Sequence, residues 1–266
     1  MLITSRSNPT VVATAALKEK KYRDESHAFL VEGVKLFREA VASGLVIERV
    51  FATEKMVSLC REILPEGEVM TVSDSVLEKI STEKSPQGII CVAKYLDKIH
   101  IINKIYKEED FRTAEKRILI LSSLRDPGNL GTVIRSAAAF GCDELILSAD
   151  CADLYNPKTV RAAMGTLFRQ PITVVSDLPE TVKAMTAGGY RVCAAVLDDK
   201  AERLDRMTID NRTAFVVGNE GHGIDPAVVE AAGNTVFIPM RAGVESLNAA
   251  AAAAVFLWQS MVSAQS

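Results

Sequence analysis

The second half of the chain is paced by short, unbroken apolar runs, and this constrains its fold more than any other feature. Ile118-Leu-Ile-Leu121 leaves no polar face for solvent, as expected of a parallel strand covered on both sides. Runs at 144–147, 172–175, 191–196, 214–217 and 235–238 predict further strands with helical stretches between them. A Pro/Gly turn after the first run leads into a helix expected at 130–140, and an Ala-rich helix is expected from Ser246 to about Met261. The pattern is that of a parallel sheet with helices on both faces, and such sheets bind ligands outside the carboxyl ends of their strands.

A smaller α/β block precedes it. Phe29-Leu-Val-Glu-Gly33 predicts a strand ending at a glycine, and residues 34–43 predict a helix stopped by Gly44. Strands at 46–52, 68–72 and 88–93 and helices at 54–63 and 74–80 complete it. Residues 96–116 are irregular and mixed in charge, and the stretch 99–106 suits a strand or a helix of either neighbour. The expected division is therefore a domain over 1–95, a linker over 96–116 and a domain over 117–266.

Several classes are disfavoured. The N-terminus carries no apolar segment of leader length, and the longest apolar run, 249–258, is about half of a membrane span. Cys60, Cys91, Cys142, Cys151 and Cys193 form no CxxC pair, so neither a zinc site nor a disulfide framework is expected; they read as buried thiols of a cytoplasmic protein without a membrane partner. A net charge of −3 argues by itself against nucleic acid. The first 23 residues nevertheless carry Arg6, Lys18, Lys20, Lys21 and Arg23 against Glu19 alone. On charge alone an ordinary solvated helix is the stronger reading of that segment.

No phosphate-cradling GxxxxGK[ST], GxGxxG, HExxH or GxSxG motif is present. Three other segments place special residues where strands end. Arg125-Asp-Pro-Gly-Asn-Leu-Gly131 makes a tight turn in which Asn129 is placed to cap the next helix, with Arg135 further along it. Val216-Val-Gly-Asn-Glu-Gly-His-Gly223 lets the backbone come close to a ligand through Gly218, Gly221 and Gly223, with Glu220 among them; His222 reads as an exposed loop residue. Ile238-Pro-Met-Arg-Ala-Gly-Val-Glu-Ser-Leu-Asn248 brings Ser246 and Asn248 to a helix start. Six alanines at 249–254 make that helix thin, which implies a close-packed neighbour.

Together the three segments resemble the SpoU-type family of the SPOUT superfamily, RNA ribose 2′-O-methyltransferases. The match lies in Asn129 and Arg135, then in Gly218, Glu220 and Gly223, and then in Ile238, Pro239 and Met240 with Ser246, Leu247 and Asn248; Ala242 stands where the family often has Gly. The N-terminal block is similar to the substrate-binding domain of such enzymes, of the L30e/L7Ae kind, in Ser5, Asn8, Pro9, the basic helix and Phe29–Gly33. The resemblance implies an α/β fold with a deep trefoil knot in the C-terminal domain, a homodimer, and an active site completed across the dimer interface. It implies S-adenosylmethionine bound by Gly218, Asn219, Ile238, Met240 and Leu247, with no metal. Arg135, Asn129, Glu220, Ser246 and Asn248 become the catalytic set, and Arg6, Lys18, Lys20, Lys21 and Arg23 become RNA contacts.

The implied reaction moves a methyl group from a sulfonium to a ribose 2′-oxygen. A guanidinium stays protonated, so Arg135 is read as a phosphate-binding group that stabilises developing alkoxide charge, with Asn129, Glu220, Ser246 and Asn248 positioning it and the ribose. The extra N-terminal domain favours 23S ribosomal RNA over tRNA. A catalytically inactive RNA-binding protein on the same scaffold and methylation of a base nitrogen stand as alternatives.

Overall fold

A computed structural model describes residues 2–97, 99–102, 106–198, 200–219, 221–241, 243–244 and 246–263. The first half contains β1 (Leu2–Ile3), α1 (Pro9–Ala16), α2 (Lys20–Ser26), β2 (Ala28–Glu32), α3 (Val34–Ala42), β3 (Ile47–Ala52), α4 (Val57–Ile63), β4 (Val69–Val72), α5 (Asp74–Ile80) and β5 (Ile89–Lys94). Then follow β6 (Ile99–Ile102), α6 (Glu109–Arg112), β7 (Ile118–Leu121), α7 (Pro127–Ala139), β8 (Glu144–Ser148), α8 (Pro157–Ala162), β9 (Ile172–Val175) and α9 (Leu178–Ala187). The chain closes with β10 (Arg191–Ala195), β11 (Glu202–Arg203), β12 (Thr213–Val217), α10 (Pro226–Ala232), β13 (Asn234–Phe237) and α11 (Ala249–Ser263).

Packing divides the chain into two units, Met1–Asp97 with Asp153–Arg169, and Lys98–Ala152 with Gln170–Ser266. The first unit is built on a sheet of order β1-β4-β3-β5-β2, parallel from β1 to β3 and antiparallel around β5. Asn8 starts α1 by accepting from the Thr10 N–H at 2.9 Å, while Pro9 fills the first helical position, where no N–H is needed. Val11, Phe51, Val76, Ile80 and Ile90 form its core. Residues 28–31 of β2 are all buried because α8, from the later part of the chain, packs on that strand. Its segment is anchored by stacking of Tyr155 on Tyr95 at 3.8 Å between ring centroids.

The second unit holds an all-parallel sheet of order β11-β13-β10-β12-β7-β8-β9-β6. The stretch expected to be linker contributes its edge, since β6 pairs with β9 in register from Ile99 opposite Ile172 to Ile102 opposite Val175. Ile120, Ile146, Val192, Ala214 and Val216 are fully buried in one core, as their apolar runs require.

Two helix starts differ from expectation. The helix α7 begins at Pro127, and Asp126 is its cap, accepting from the Asn129 N–H at 2.8 Å. Asn129 therefore sits inside the first turn with its side chain turned to other partners. The last helix begins at Ala249, not Ser246, because Asn248 Oδ1 caps it by accepting from Ala250 N at 3.0 Å and Ala251 N at 3.3 Å. The thinness of α11 has the expected cause. Ala249, Ala250 and Ala253 are buried where α11 packs on α7 and β12, and Phe256 stacks on Phe215 of β12 at 4.8 Å.

Candidate active site

In the parallel sheet β12 lies between β10 and β7, and β13 flanks β10 on its other side. The segments that follow β7, β10, β12 and β13 therefore emerge along one carboxyl edge, the position where open α/β sheets form ligand crevices. A cavity of about 270 Å³ opens there. Its walls are Ala195, Val196 and Leu197 after β10, Val217 to Asn219 with Gly221 and Gly223 after β12, and Ile238 and Met240 after β13. Ser246 and Leu247 close it from the segment before α11, whose Ala249, Ala252 and Phe256 form a further side.

All five residues expected to bind the methyl donor, Gly218, Asn219, Ile238, Met240 and Leu247, line this one cavity. Gly218 has no room for a side chain, since a Cβ there would come within 2.4 Å of the Gly223 carbonyl oxygen. The loop is thus a backbone hairpin folded on itself. Asn219 N–H donates to Gly223 O at 3.0 Å, and Gly223 N–H returns a bond to Asn219 O at 2.9 Å. The Asn219 side chain works in two directions, accepting from Gly221 N at 2.8 Å and donating to Ser123 O at 3.2 Å. That second bond ties the glycine loop to the turn after β7.

Four of the five expected catalytic residues lie among the described residues, and they divide into three groups. Ser246 is exposed and lines the cavity ahead of α11. Asn129 and Asn248 meet directly, Asn248 Nδ2 donating to Asn129 Oδ1 at 3.2 Å. Arg135 is exposed on α7 and is not a wall of the cavity, and no ion pair of its guanidinium is found among the described residues. Glu220 and Ala242 lie outside the described residues. His222 is exposed and does not line the cavity.

The N-terminal basic residues do not form one open face. Arg23 corrects the expectation of an RNA contact, because it is 2% exposed. Its guanidinium donates to Leu17 O at 2.8 Å and Lys18 O at 2.7 Å and pairs with Asp153, so α1, α2 and the α8 segment are fastened around one buried cation. Lys18 is half-buried, donates to Lys79 O at 2.7 Å, and has its pKa lowered chiefly by that burial. Lys20 and Lys21 are exposed on α2 and pair with Asp24 and Glu25 at 2.8 and 3.9 Å; Arg6 is exposed. Position along the chain could not separate the buried Arg23 from its exposed neighbours. Its spacing from Lys20 by one helical turn says only that the two share a side.

Sequence reading also passed over Ala195, Val196 and Leu197. Leu197 is 73% exposed at the cavity rim, and an apolar residue just past a strand end was the available signal. Among the described residues no cluster of His, Cys, Asp or Glu could hold a metal ion, and no helix is long and apolar enough to cross a membrane.

A parallel α/β sheet with a glycine-walled apolar cavity at its carboxyl edge, closed by the loop before the last helix, defines a small-ligand-binding domain joined to a second α/β unit. The pattern of the SpoU rRNA Methylase family matches residues 116–258, and that of the MRM3-like substrate binding domain matches residues 8–91. Over 256 residues the chain is 31% identical to the 23S rRNA (guanosine(2553)-2′-O)-methyltransferase RlmP of Bacillus subtilis, covering 96% of this chain and 97% of that protein. An AdoMet-bound rRNA methyltransferase from Sinorhizobium meliloti superposes with a TM-score of 0.81 at 28% identity, over 98% of this chain and 97% of that one. The SpoU methyltransferase AviRb of Streptomyces viridochromogenes, in complex with AdoMet, gives 0.78 at 26% identity over 96% and 98%. The chain belongs to the SpoU rRNA methylase family.

Proposed function

We propose that this protein is an S-adenosylmethionine-dependent ribose 2′-O-methyltransferase acting on 23S ribosomal RNA. The observation that carries the reading is the convergence of Gly218, Asn219, Ile238, Met240 and Leu247 on one cavity, beside an Asn129–Asn248 pair drawn from two distant motifs. The walls suit the donor: backbone amides and carbonyls of a glycine loop for polar edges, and Ile238, Met240, Leu247 and Phe256 for an aromatic ring. When bound, the donor supplies an electrophilic methyl group on a sulfonium.

The chain's own residues then have three tasks. Ser246 and the Asn129–Asn248 pair hold the ribose, and orientation of two bound reactants provides much of the rate. Arg135 binds phosphate and stabilises negative charge on the 2′-oxygen as its proton leaves; a guanidinium suits this because it stays charged. An O–CH₃ bond forms, the S–CH₃ bond breaks, and the hydroxyl proton passes to solvent. Glu220 is assigned to the same set on its place in the glycine loop.

Arg135 is exposed and does not line the cavity of its own copy, which supports a homodimer in which one protomer's Arg135 serves its partner's cavity. Trp258, 49% exposed on α11, gives that helix an apolar outer face to bury in such a dimer. The strand order around β10, β12 and β7 is compatible with a deep trefoil knot in the C-terminal segment. Residues 1–95 are read as the RNA-recognising domain, with Arg6, Lys20 and Lys21 as contacts, and residues 117–266 as the catalytic one, in a cytoplasmic protein.

The test is transfer of radiolabelled methyl to 23S rRNA, followed by mapping of the modified ribose. Arg135→Ala is expected to abolish transfer while donor binding persists in calorimetry. Transfer to tRNA alone, a methylated base, or donor-free RNA binding would each replace the reading with a different one.

A further inference from the structure

We propose that Asp150 is a positioning residue for the donor cavity, acting through Ser123 on the side chain of Asn219. The inference rests on the reading of the cavity as the donor site. Neither Asp150 nor Ser123 lies in the matched motif positions, and neither lines the cavity.

Ser123 follows β7 with φ at +55°, in the left-handed region. A residue with a side chain is strained there and stays only where its surroundings fix it. The surroundings are specific. Ser123 N–H donates to Ser148 Oγ at 2.8 Å, and Ser123 Oγ donates to Asp150 Oδ2 at 2.7 Å. Ser148 Oγ in turn donates to Asp150 Oδ1 at 2.6 Å, so the two carboxylate oxygens grip both serines. Arg125 Nη2 adds a contact to Oδ2 at 3.2 Å. Burial alone would raise the Asp150 pKa, but the donors on Ser148, Ser123 and Arg125 outweigh it and hold the carboxyl below its ordinary value. The anion is the form present at neutral pH.

The consequence reaches the cavity in two steps. With its N–H and hydroxyl both fixed, Ser123 presents its carbonyl in one direction, and Asn219 Nδ2 donates to it at 3.2 Å. Asn219 Oδ1 then receives the Gly221 N–H at 2.8 Å, and its backbone pairs with Gly223. A carboxylate outside the cavity therefore sets the shape of the loop that forms one wall of it. A hydroxyl or an amide at position 150 could not accept from three donors on two oxygens with full negative charge.

Calorimetric titration of the full-length protein with S-adenosylmethionine tests this, using wild type, Asp150→Asn, Ser123→Gly and the double variant, with thermal midpoints recorded alongside. Ser123→Gly tolerates the positive φ while removing the hydroxyl. Each single change is expected to raise the donor dissociation constant by about tenfold, the scale of one charge-assisted hydrogen bond, and the double variant is expected to add little more. In turnover the loss should fall on the donor KM and leave kcat at saturating donor near wild type. A folded Asp150→Asn protein with unchanged donor affinity overturns the proposal, even if its melting temperature falls, and so do additive losses in the double variant. Should Asp150→Asn not fold, unchanged affinity in Ser123→Gly overturns it. Absence of donor binding in the wild type would instead overturn the reading of the cavity.

Discussion

Asn248 Nδ2 donates to Asn129 Oδ1 at 3.2 Å, joining two residues 119 positions apart, while Asn248 Oδ1 caps α11. Asparagine suits this place because one amide accepts from helix N–H groups and donates in another direction. Asn248→Asp keeps the cap, and a negative charge at a helix start is favourable, so stability should hold within about 0.5 kcal/mol. The same change places an oxygen against Asn129 Oδ1, and methyl transfer should fall by at least about tenfold. Asn248→Ala should lose both, with about 1 kcal/mol of stability gone as well. Urea unfolding beside a methyl-transfer assay separates the two functions; equal activity in Asn248→Asp and wild type would remove the pair from the mechanism.

Much of this site was legible because its residues sit at strand ends, where apolar runs stop and glycines begin. Ile118–Leu121 and Thr213–Val217 are buried on both sides, so their ends could be read within a residue or two. Which residue caps a helix was less legible. Asp126 and Asn129 are both good caps three residues apart, and only the structure shows Asp126 taking the cap and releasing the Asn129 side chain. The division of the chain was harder still. The matched family patterns occupy continuous stretches, yet Asp153–Arg169 packs with the N-terminal unit, through contacts such as Arg23 with Asp153 that no local periodicity encodes.

Arg23→Ala is expected to destabilise the first unit rather than weaken RNA binding directly. It would leave Leu17 O, Lys18 O and the largely buried Asp153 carboxylate without their donor. Breaking a buried pair by removing one partner costs about 3–5 kcal/mol. Arg23→Lys should recover only part of this, since a single ammonium cannot span acceptors that the planar guanidinium reaches with two nitrogens. The measurement is the urea midpoint of the three proteins. A shift below about 1 kcal/mol in Arg23→Ala would show that the cation is not the fastening it is described as.

Cys142 gives a prediction at alkaline pH. It is buried, its thiol lies 3.3 Å from Arg117 O and 3.2 Å from Glu144 O, and burial pushes its pKa up to about 12 from an ordinary value near 9. Between those values the folded protein keeps the proton that the unfolded chain has lost. Stability from this group is therefore complete below pH 9 and declines as pH rises, at no more than about 1.4 kcal/mol per pH unit. Urea unfolding at pH 8 and pH 10.5 should show a smaller loss in Cys142→Ala than in wild type. Native protein at pH 8 should also resist iodoacetamide at this thiol, with reaction following unfolding. Equal pH dependence in the two proteins would contradict the burial account.

Complementation tests whether the site is shared between copies. In Arg135→Ala the cavity is intact, whereas Gly218→Ala should close it, because a Cβ there meets the Gly223 carbonyl oxygen at 2.4 Å. If Arg135 served the cavity of its own chain, a mixture of the two inactive proteins would stay inactive. If it serves the cavity of a second copy, random mixing makes about half of the dimers mixed, each with one complete site, and returns about one quarter of wild-type activity. Refolding the two variants together before assay allows exchange, and each variant refolded alone is the baseline. Trp258→Glu in both partners should prevent the recovery by placing a charge on the outer face of α11, where Trp258 is half exposed in one copy. Recovery that survives Trp258→Glu would place the shared surface away from α11, and no recovery at all would return Arg135 to its own chain.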